Sequence, residues 1–479
     1  MIIGLDIGTE SVRATLFNEK RLKMLEEYEV SYKIYFPRTE YVEQDPEEIF
    51  KAVVKCINKV PKNGDTLYIS FSSVLHSVLA LDKHGNLLTN LIIWADRRAK
   101  NEKDYLKEKF GTRFFYERSG CPVHAIYLPS KILWIKKNYP KAAIFMSIKS
   151  YLIYKLTGKM VEDLSVALAS GLMNIRKKIW DEEILKIIGI KESSLPTVVS
   201  PYNLLPVKAG LSNHFREIFV VPGAGDGMLA NLGAGAIKEG TGVITIGTSG
   251  AVRTFVKKVV LDKHGIATWC YLLDDELYIL GAAINNGGIV LSWIKDLFDL
   301  KNYEEIFEEA QKAPPGADGI VFLPFLNGER SPNWIENYKG VVIGLTTFHE
   351  KHHILKAAIE GIGFRMKDIF NSVEKVNKSK ISKIIATGGF TKSEYLLQTM
   401  ANVLGRDINI TNITHHVAFG AVIIAIKSLK MDWRKFLEES VWITKTIKHD
   451  EQLSNTYEEL YIKYKYLYET ILDYWNNFD

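Results

Sequence analysis

The chain has 479 residues, 47% hydrophobic and 24% charged, with a formal net charge of +5. That length exceeds one ordinary core and predicts two domains, while the weak charge and the lack of a dense Lys/Arg block argue against a nucleic-acid protein. Cys56, Cys121 and Cys270 are too scattered for a metal motif or a disulfide framework, and no apolar run approaches the ~18 residues of a membrane span.

The first residues, Met1-Ile2-Ile3-Gly4-Leu5-Asp6, enter a strand with no basic leader, so a cytoplasmic protein without a signal peptide is expected. Residues 2–7 and 12–17 read as strands of a β-hairpin closed by Gly8-Thr9-Glu10-Ser11. Asp6 lies inside the first strand, where a charge needs a partner that a metal ion or its water would supply. The turn brings backbone N–H groups and two hydroxyls together, the makings of an anion nest, with Arg13 close by. Alone, the same residues read first as a solvated turn.

Asp45-Pro46-Glu47-Glu48 starts a helix, Asp at the N-cap and Pro at the first helical position, running to about residue 58. Residues 67–72 form the next strand, interrupted by the polar stretch Ser72-Ser73-Val74-Leu75-His76-Ser77. Strands over 77–81 and 87–94 follow, and Ala95-Asp96-Arg97-Arg98 starts a charged helix. A Trp (Trp94), an Asp and two Arg at a strand end suit a polyol or an acid; a surface helix start explains the charges as well. Residues 105–200 read as mostly helical, with a loop at Cys121-Pro122-Val123-His124 and helices opening at Leu128-Pro129-Ser130-Lys131, over 149–156 and over 181–188.

Residues 218–221 feed Pro222-Gly223-Ala224-Gly225-Asp226-Gly227, and Met228, Leu229, Leu232 and Ala236 follow at helical spacing. A carboxylate thus sits among glycines where a strand gives way to a helix. Asp226 can accept a proton from a substrate hydroxyl, or it can cap the helix.

The second half repeats the opening of the first: a strand over 242–246, the turn Gly247-Thr248-Ser249-Gly250 and a return strand over 251–255. Two matching hairpins predict a duplicated fold with a cleft between its halves, split near Lys238-Glu239-Gly240 into 1–238 and 239–479. A strand over 277–283 leads to Asn285-Asn286-Gly287-Gly288 and a helix over 289–298; residues 320–323 lead to the loop Pro324–Pro332, and 353–370 is a long helix. A strand over 383–386 ends in Thr387-Gly388-Gly389-Phe390 at the start of a helix over 393–404, a natural nucleotide position. Tyr457, Leu460, Tyr461, Tyr464, Leu467, Tyr468, Ile471 and Tyr474 recur at helical spacing and imply packing or an oligomer contact, with a homodimer one outcome.

Together these motifs resemble the FGGY carbohydrate kinases, the sugar-kinase branch of the actin/hexokinase/heat-shock-protein superfamily, from Met1 to about Lys427. Gly340-Val341-Val342-Ile343-Gly344-Leu345, seven residues, then His353-Ile354-Leu355-Lys356-Ala357-Ala358-Ile359-Glu360 is similar to the family's C-terminal signature; at the looser N-terminal signature, Leu128 departs from the usual small hydroxyl residue or proline. The resemblance implies an α/β chain of two ribonuclease H-like domains facing across a nucleotide/sugar cleft. It implies ATP and Mg2+ as cofactors, a small sugar or sugar acid as partner, and no nucleic acid or membrane. It implies Asp226 as catalytic base and Asp6 as the carboxylate holding magnesium through water. Thr9, Glu10, Ser11 and Arg13 resemble the phosphate hairpin, Thr248 its nucleotide-contacting counterpart, and Gly288, Ser292, Gly388, Gly389 and Ser393 the nucleoside site. Leu75, His76, Trp94, Asp96, Arg98 and His124 fall on sugar-binding loops that look most like those of gluconokinases; xylulokinases usually carry Gly where Ser77 stands. Arg97, Arg98, His76 and His124 are the candidates to face a sugar-acid carboxylate. A chaperone-like or cytoskeletal ATPase on the same fold would need neither Asp226 beside a polyol pocket nor the 94–98 cluster, and a sugar-responsive regulator would carry a basic helix-turn-helix.

Overall fold

The computed structural model describes residues 1–18, 24–61, 66–208, 211 and 215–478. Two mixed sheets organise them. In the first, β1 (Ile2–Ile7), β2 (Ser11–Phe17) and β3 (Met24–Ser31) form an antiparallel meander. On the other side of β1 runs the parallel β4 (Thr66–Ser73); β5 (Leu205–Pro206) edges β6 (Glu217–Gly225), which is parallel to β4. The order is β5-β6-β4-β1-β2-β3. In the second sheet, β7 (Thr241–Ile246), β8 (Gly250–Val256), β9 (Trp269–Leu272), β10 (Tyr278–Ile284), β11 (Lys383–Thr387), β12 (Ile408–Thr411) and β13 (Ile443–Ile447) take the order β9-β10-β8-β7-β11-β12-β13. The run β3-β2-β1-β4-β6 matches β10-β8-β7-β11-β12 in order and strand direction, so the duplicated hairpins are the visible part of a duplicated sheet.

Eight helices matter for the site and its supports: α1 (Pro46–Asn58), α2 (Leu128–Asn138), α3 (Asp226–Gly233), α4 (Gly288–Leu297), α5 (Lys351–Asn377), α6 (Glu394–Leu404), α7 (His416–Ser428) and α8 (Glu451–Phe478). α1 starts where its cap predicts: the Asp45 carboxylate accepts from the N–H groups of Glu47 at 2.8 Å and Glu48 at 3.4 Å.

α7 belongs to the second half of the sequence but lies on the first sheet, over β1, β4 and β6, and along α3. Side chains are absent where the backbones meet. A Cβ on Gly420 would sit 2.1 Å from the Leu229 carbonyl oxygen, one on Gly233 1.9 Å from that of His416, and one on Gly4 2.3 Å from that of Ala418. Only glycine permits these approaches.

α8 packs within its own chain. Tyr457, Tyr464, Tyr468 and Trp475 are buried with Phe325, Tyr338 and Phe364 of the second half. The helix expected from Ala95 begins instead at Lys100, and the strand expected over 87–94 shrinks to Leu91–Ile92. Asp96 and Arg98 are tied down before the helix can start: the Asp96 carboxylate accepts from the Val42 N–H at 2.6 Å and from the Arg98 guanidinium at 2.7 Å.

Candidate active site

β6 buckles one turn before it ends. Its register against β4 shifts between Val221 and Ala224, and Gly223 sits at φ 68, where a Cβ would lie 1.8 Å from the Phe71 carbonyl oxygen and only glycine fits. The buckled end is fixed by buried groups: Lys149 Nζ donates to the Ala224 carbonyl at 2.7 Å and to Asp163 Oδ2 at 2.8 Å, and the Gly225 N–H donates to Ser165 Oγ at 3.2 Å. Asp226 follows as the first residue of α3, with Gly225 in the cap position. Its Oδ1 accepts from the adjacent Gly227 N–H at 2.6 Å. This is not capping geometry, so the cap reading of Asp226 fails and a carboxylate facing a cleft remains. Burial raises its pKa, against Arg253, the Gly227 N–H and Lys149, which favour the charged form.

The cleft, about 320 Å³, is lined from both halves. Thr9 of the first hairpin and Gly247, Thr248 and Ser249 of the second share it with Asp226. Leu75, His76 and Trp94 form one wall; Trp94 Nε1 donates to Thr9 Oγ1 at 3.1 Å. The loop carrying His76 is pinned from behind. Lys131, fully buried on α2, donates to the carbonyls of His76 at 2.6 Å and Ile93 at 2.8 Å, and burial brings its pKa down to about 7. His76 itself sits at φ 63, edge-on to the rings of Tyr127 at 4.9 Å and Tyr271 at 6.1 Å. Burial, with Lys131 and Arg330 nearby, holds its imidazole well below the usual range, hence neutral.

At the tip of β7 two glycine turns abut the second hairpin. The Gly288 N–H donates to the Gly247 carbonyl at 2.6 Å and that of Ile289 to Thr248 at 3.1 Å, so α4 starts against the turn. On the other side Gly388, at φ 91, lies where a Cβ would approach the Ile246 carbonyl oxygen to 2.9 Å, while a Cβ on Gly389 would meet nothing within 4 Å. Ser292 lies half-buried one turn into α4, and Ser393 caps α6, accepting from the Leu396 N–H at 3.3 Å. Asp6 accepts from Ser72 Oγ at 2.9 Å; burial and the charge of Asp226 push its carboxyl up to about 6.

Other sequence candidates lie outside the cleft lining. Arg98 is held by Asp96 and by Glu43 at 2.6 Å, with its guanidinium over the rings of Tyr41 at 4.0 Å and Trp134 at 4.9 Å. Asp96 is spent on the same pair. Arg97 donates to the Asn327 carbonyl at 2.9 Å. His124 packs on Trp334 at 5.4 Å and lies 3.1 Å from Glu336; burial takes its pKa down to about 4. Ser11 donates to Glu29 at 2.5 Å, Arg13 pairs with Glu29 at 3.1 Å, and Glu10 is exposed.

The cleft also holds residues that the sequence did not single out for it. Arg253 of β8 donates to Thr245 Oγ1 at 3.1 Å and, though buried, has the Asp226 charge favouring its protonated form. Alternation along β8 from Ala251 was the available signal, since both side chains face the cleft. Arg330 donates to the Ile284 carbonyl at 2.8 Å, leaves its buried Nε without a partner, and is pulled down to about 10 by burial. Tyr127, Tyr271, Trp269 and Trp334 complete an aromatic wall; Tyr127 and Tyr271 share a hydrogen bond at 2.7 Å, and Trp269 stacks on Tyr271 at 4.1 Å.

Models of the FGGY family of carbohydrate kinases match the chain twice, the N-terminal domain over residues 1–233 and the C-terminal domain over 242–429. A gluconokinase of Bacillus licheniformis is 34% identical over 482 residues, covering 96% of this chain and 94% of that protein. Among solved structures, a gluconate kinase and a ligand-bound xylulose kinase, both from Lactobacillus acidophilus, each superpose with a TM-score of 0.92 at 31% identity, covering 100% of this chain and 99% of theirs. The chain belongs to the FGGY family of carbohydrate kinases, has that family's two-domain actin/hexokinase-like fold, and is a phosphotransferase with an alcohol group as acceptor.

Proposed function

We propose that this FGGY kinase transfers the γ-phosphoryl group of ATP to the terminal hydroxyl of D-gluconate, with Asp226 as general base. The observation that carries the mechanism is the position of Asp226: a half-buried carboxylate with a raised pKa, in one cleft with both hairpins. Phosphoryl transfer demands positioning and charge neutralisation rather than covalent help. Asp226 takes the acceptor proton as the hydroxyl oxygen bonds to the γ-phosphorus and the bond to ADP breaks. Thr9 and the backbone of 8–11 face the phosphates from one half, Thr248 and the 247–250 turn from the other. Gly288, Ser292, Gly388, Gly389 and Ser393 surround the nucleoside. The aromatic wall excludes water, which would otherwise compete as acceptor.

The residues present fit a magnesium ion. Burial and the charge of Asp226 raise the pKa of Asp6, an unfavourable placement that a divalent cation held nearby would relieve. No group of three or more His, Cys, Asp or Glu surrounds them among the described residues, so phosphate oxygens and water would complete the shell, as magnesium prefers. When bound, the ion would neutralise charge on the transferring phosphates.

Two features support gluconate. The chain's similarity extends over nearly the whole of a gluconokinase, and Arg330 keeps a buried Nε–H unpaired in the cleft, a donor that a carboxylate could take up. With Arg98 spent on Asp96 and Glu43, Arg330 replaces it as the group to face the acid. D-xylulose is the second reading, because the xylulose kinase structure superposes equally well. Comparing kcat/KM for D-gluconate, D-xylulose, L-ribulose and glycerol decides between them. A preference for D-xylulose by more than about tenfold would overturn gluconate while leaving the role of Asp226 standing.

A further inference from the structure

Arg330 and Trp334 enter the cleft on a loop whose supports lie outside it. The Glu329 carboxylate, buried on the far side of that loop, pairs with Arg365 of α5 and accepts from Tyr468 Oη of α8 at 3.0 and 3.1 Å. Arg365 donates again, to the Ser331 carbonyl at 2.9 Å. The residues before and after Arg330 are therefore both held by one guanidinium. Tyr468 Oη also receives a hydrogen bond from Asn333 Nδ2, next to Trp334. The Tyr468 ring stacks on Phe325 at 5.4 Å, ahead of the same loop. Glu329, Ser331, Arg365, Tyr468 and Phe325 are buried, Asn333 is exposed, and none but Arg330 and Trp334 lines the cleft. α8 lies wholly beyond residue 429, where the match to the family's C-terminal domain stops.

We propose that α8 is a brace for the acceptor site: Tyr468, through Glu329 and Asn333, sets the position of Arg330 and Trp334 and so governs affinity for the sugar. Tyr468 is a positioning residue and touches no substrate. Arg330 needs such support because its position is fixed by little else within the cleft: one carbonyl, Ile284, accepts from its guanidinium while its Nε is unpaired. Arg365 and the Ala283 backbone fix the loop at Ser331; the Tyr468 hydroxyl stops the Glu329 carboxylate from turning and ties the Asn333 end to the same point.

The inference rests on the reading of Arg330 as an acceptor contact, and the test separates the two. Tyr468→Phe, Arg330→Gln and the double variant are assayed with D-gluconate, or with D-xylulose if the substrate panel ranks it first. Tyr468→Phe keeps the ring and loses the hydroxyl. The hydroxyl's bonds to Glu329 and Asn333 go together; acceptor KM is expected to rise roughly three- to tenfold, the effect of weakening about one contact to the acceptor, with the KM for ATP within about twofold of the wild type. Because Tyr468 acts through Arg330, the double variant should match Arg330→Gln within about twofold in kcat/KM, a non-additive cycle. A merely structural helix would lower the Tm or the active fraction and leave acceptor KM alone, and that result overturns the proposal. Additive effects in the double variant overturn it too. An unchanged acceptor KM in Arg330→Gln removes the proposal together with its premise, whereas a change there without one in Tyr468→Phe removes the brace only. If Tyr468→Phe fails to accumulate, Asn333→Ala combined with Arg330→Gln reads the same coupling.

Discussion

Asp226→Asn is the sharpest probe of the cleft. The substitution is nearly isosteric, and its amide oxygen still accepts from the Gly227 N–H, so the start of α3 survives. What disappears is the base. General-base loss costs about 10²–10⁴ in rate, some 3–5 kcal/mol of transition-state stabilisation. Stability should move the other way. The Asp226 pKa is raised in the folded chain, chiefly by burial, so its ionised form weighs against folding. For an acid shifted upward, that penalty is absent below the unfolded-state value and grows as pH rises towards the folded one. The Asn variant should therefore melt no lower than the wild type at pH 8, and any advantage should vanish near pH 3. The acid limb of wild-type kcat/KM should stand near pH 6, since Asp6 is pushed up to about 6 and must also ionise. In the variant Asp6 loses its like-charged neighbour, so the limb of any residual activity should shift to lower pH. The assay is ADP release across pH, with ATP binding by calorimetry and melting by scanning calorimetry. A kcat within about threefold of wild type refutes the reasoning.

Three further outcomes follow from the supports of the cleft. Lys131→Met leaves the carbonyls of His76 and Ile93 without their buried donor, so acceptor KM should rise at least about fivefold while the KM for ATP moves less than about twofold; an unchanged acceptor KM would show that the loop holds itself. Gly420→Ala places a methyl 2.1 Å from the Leu229 carbonyl oxygen. Neither backbone can yield cheaply, and the Tm should fall by roughly 2–3 °C or more, whereas a shift under about 0.5 °C would deny the close contact. ATP and sugar together should compact the chain more than either alone, because the hairpins of the two halves share one cleft; identical small-angle scattering in all four ligand states would count against closure.

The sequence made the site's skeleton legible because that skeleton is local. Hairpin, Gly-rich strand end and capped helix each announce themselves within ten residues, and the Asp226, Thr9 and Thr248 singled out there and by the family resemblance line one cleft. Arg98 was misjudged for a non-local reason: Glu43, far away in sequence, folds beside it and joins Asp96 in neutralising it. Arg330 stood in a loop with no periodicity, and its importance comes from what surrounds it rather than from its neighbours in the chain. α7 escaped notice because His416–Ser428 is apolar on nearly every face, and periodicity cannot tell a fully buried helix from a buried strand. β3, with most of its residues exposed or half-exposed along the sheet edge, lacked the apolar alternation that marks a strand.

The reach of α7 across to the first sheet has a bearing on how the chain is made. The helix roofs β1, β4 and β6, yet Ser428 is synthesised about 195 residues after Gly233 closes α3. At a translation rate of roughly 5–20 residues per second, that roof arrives about 10–40 s late. Until then a newborn first half shows the ribosome and its neighbours a bare face of Gly4, Gly233 and the apolar side chains around them. An isolated 1–238 fragment would leave that face uncovered, because the helix that roofs it is missing.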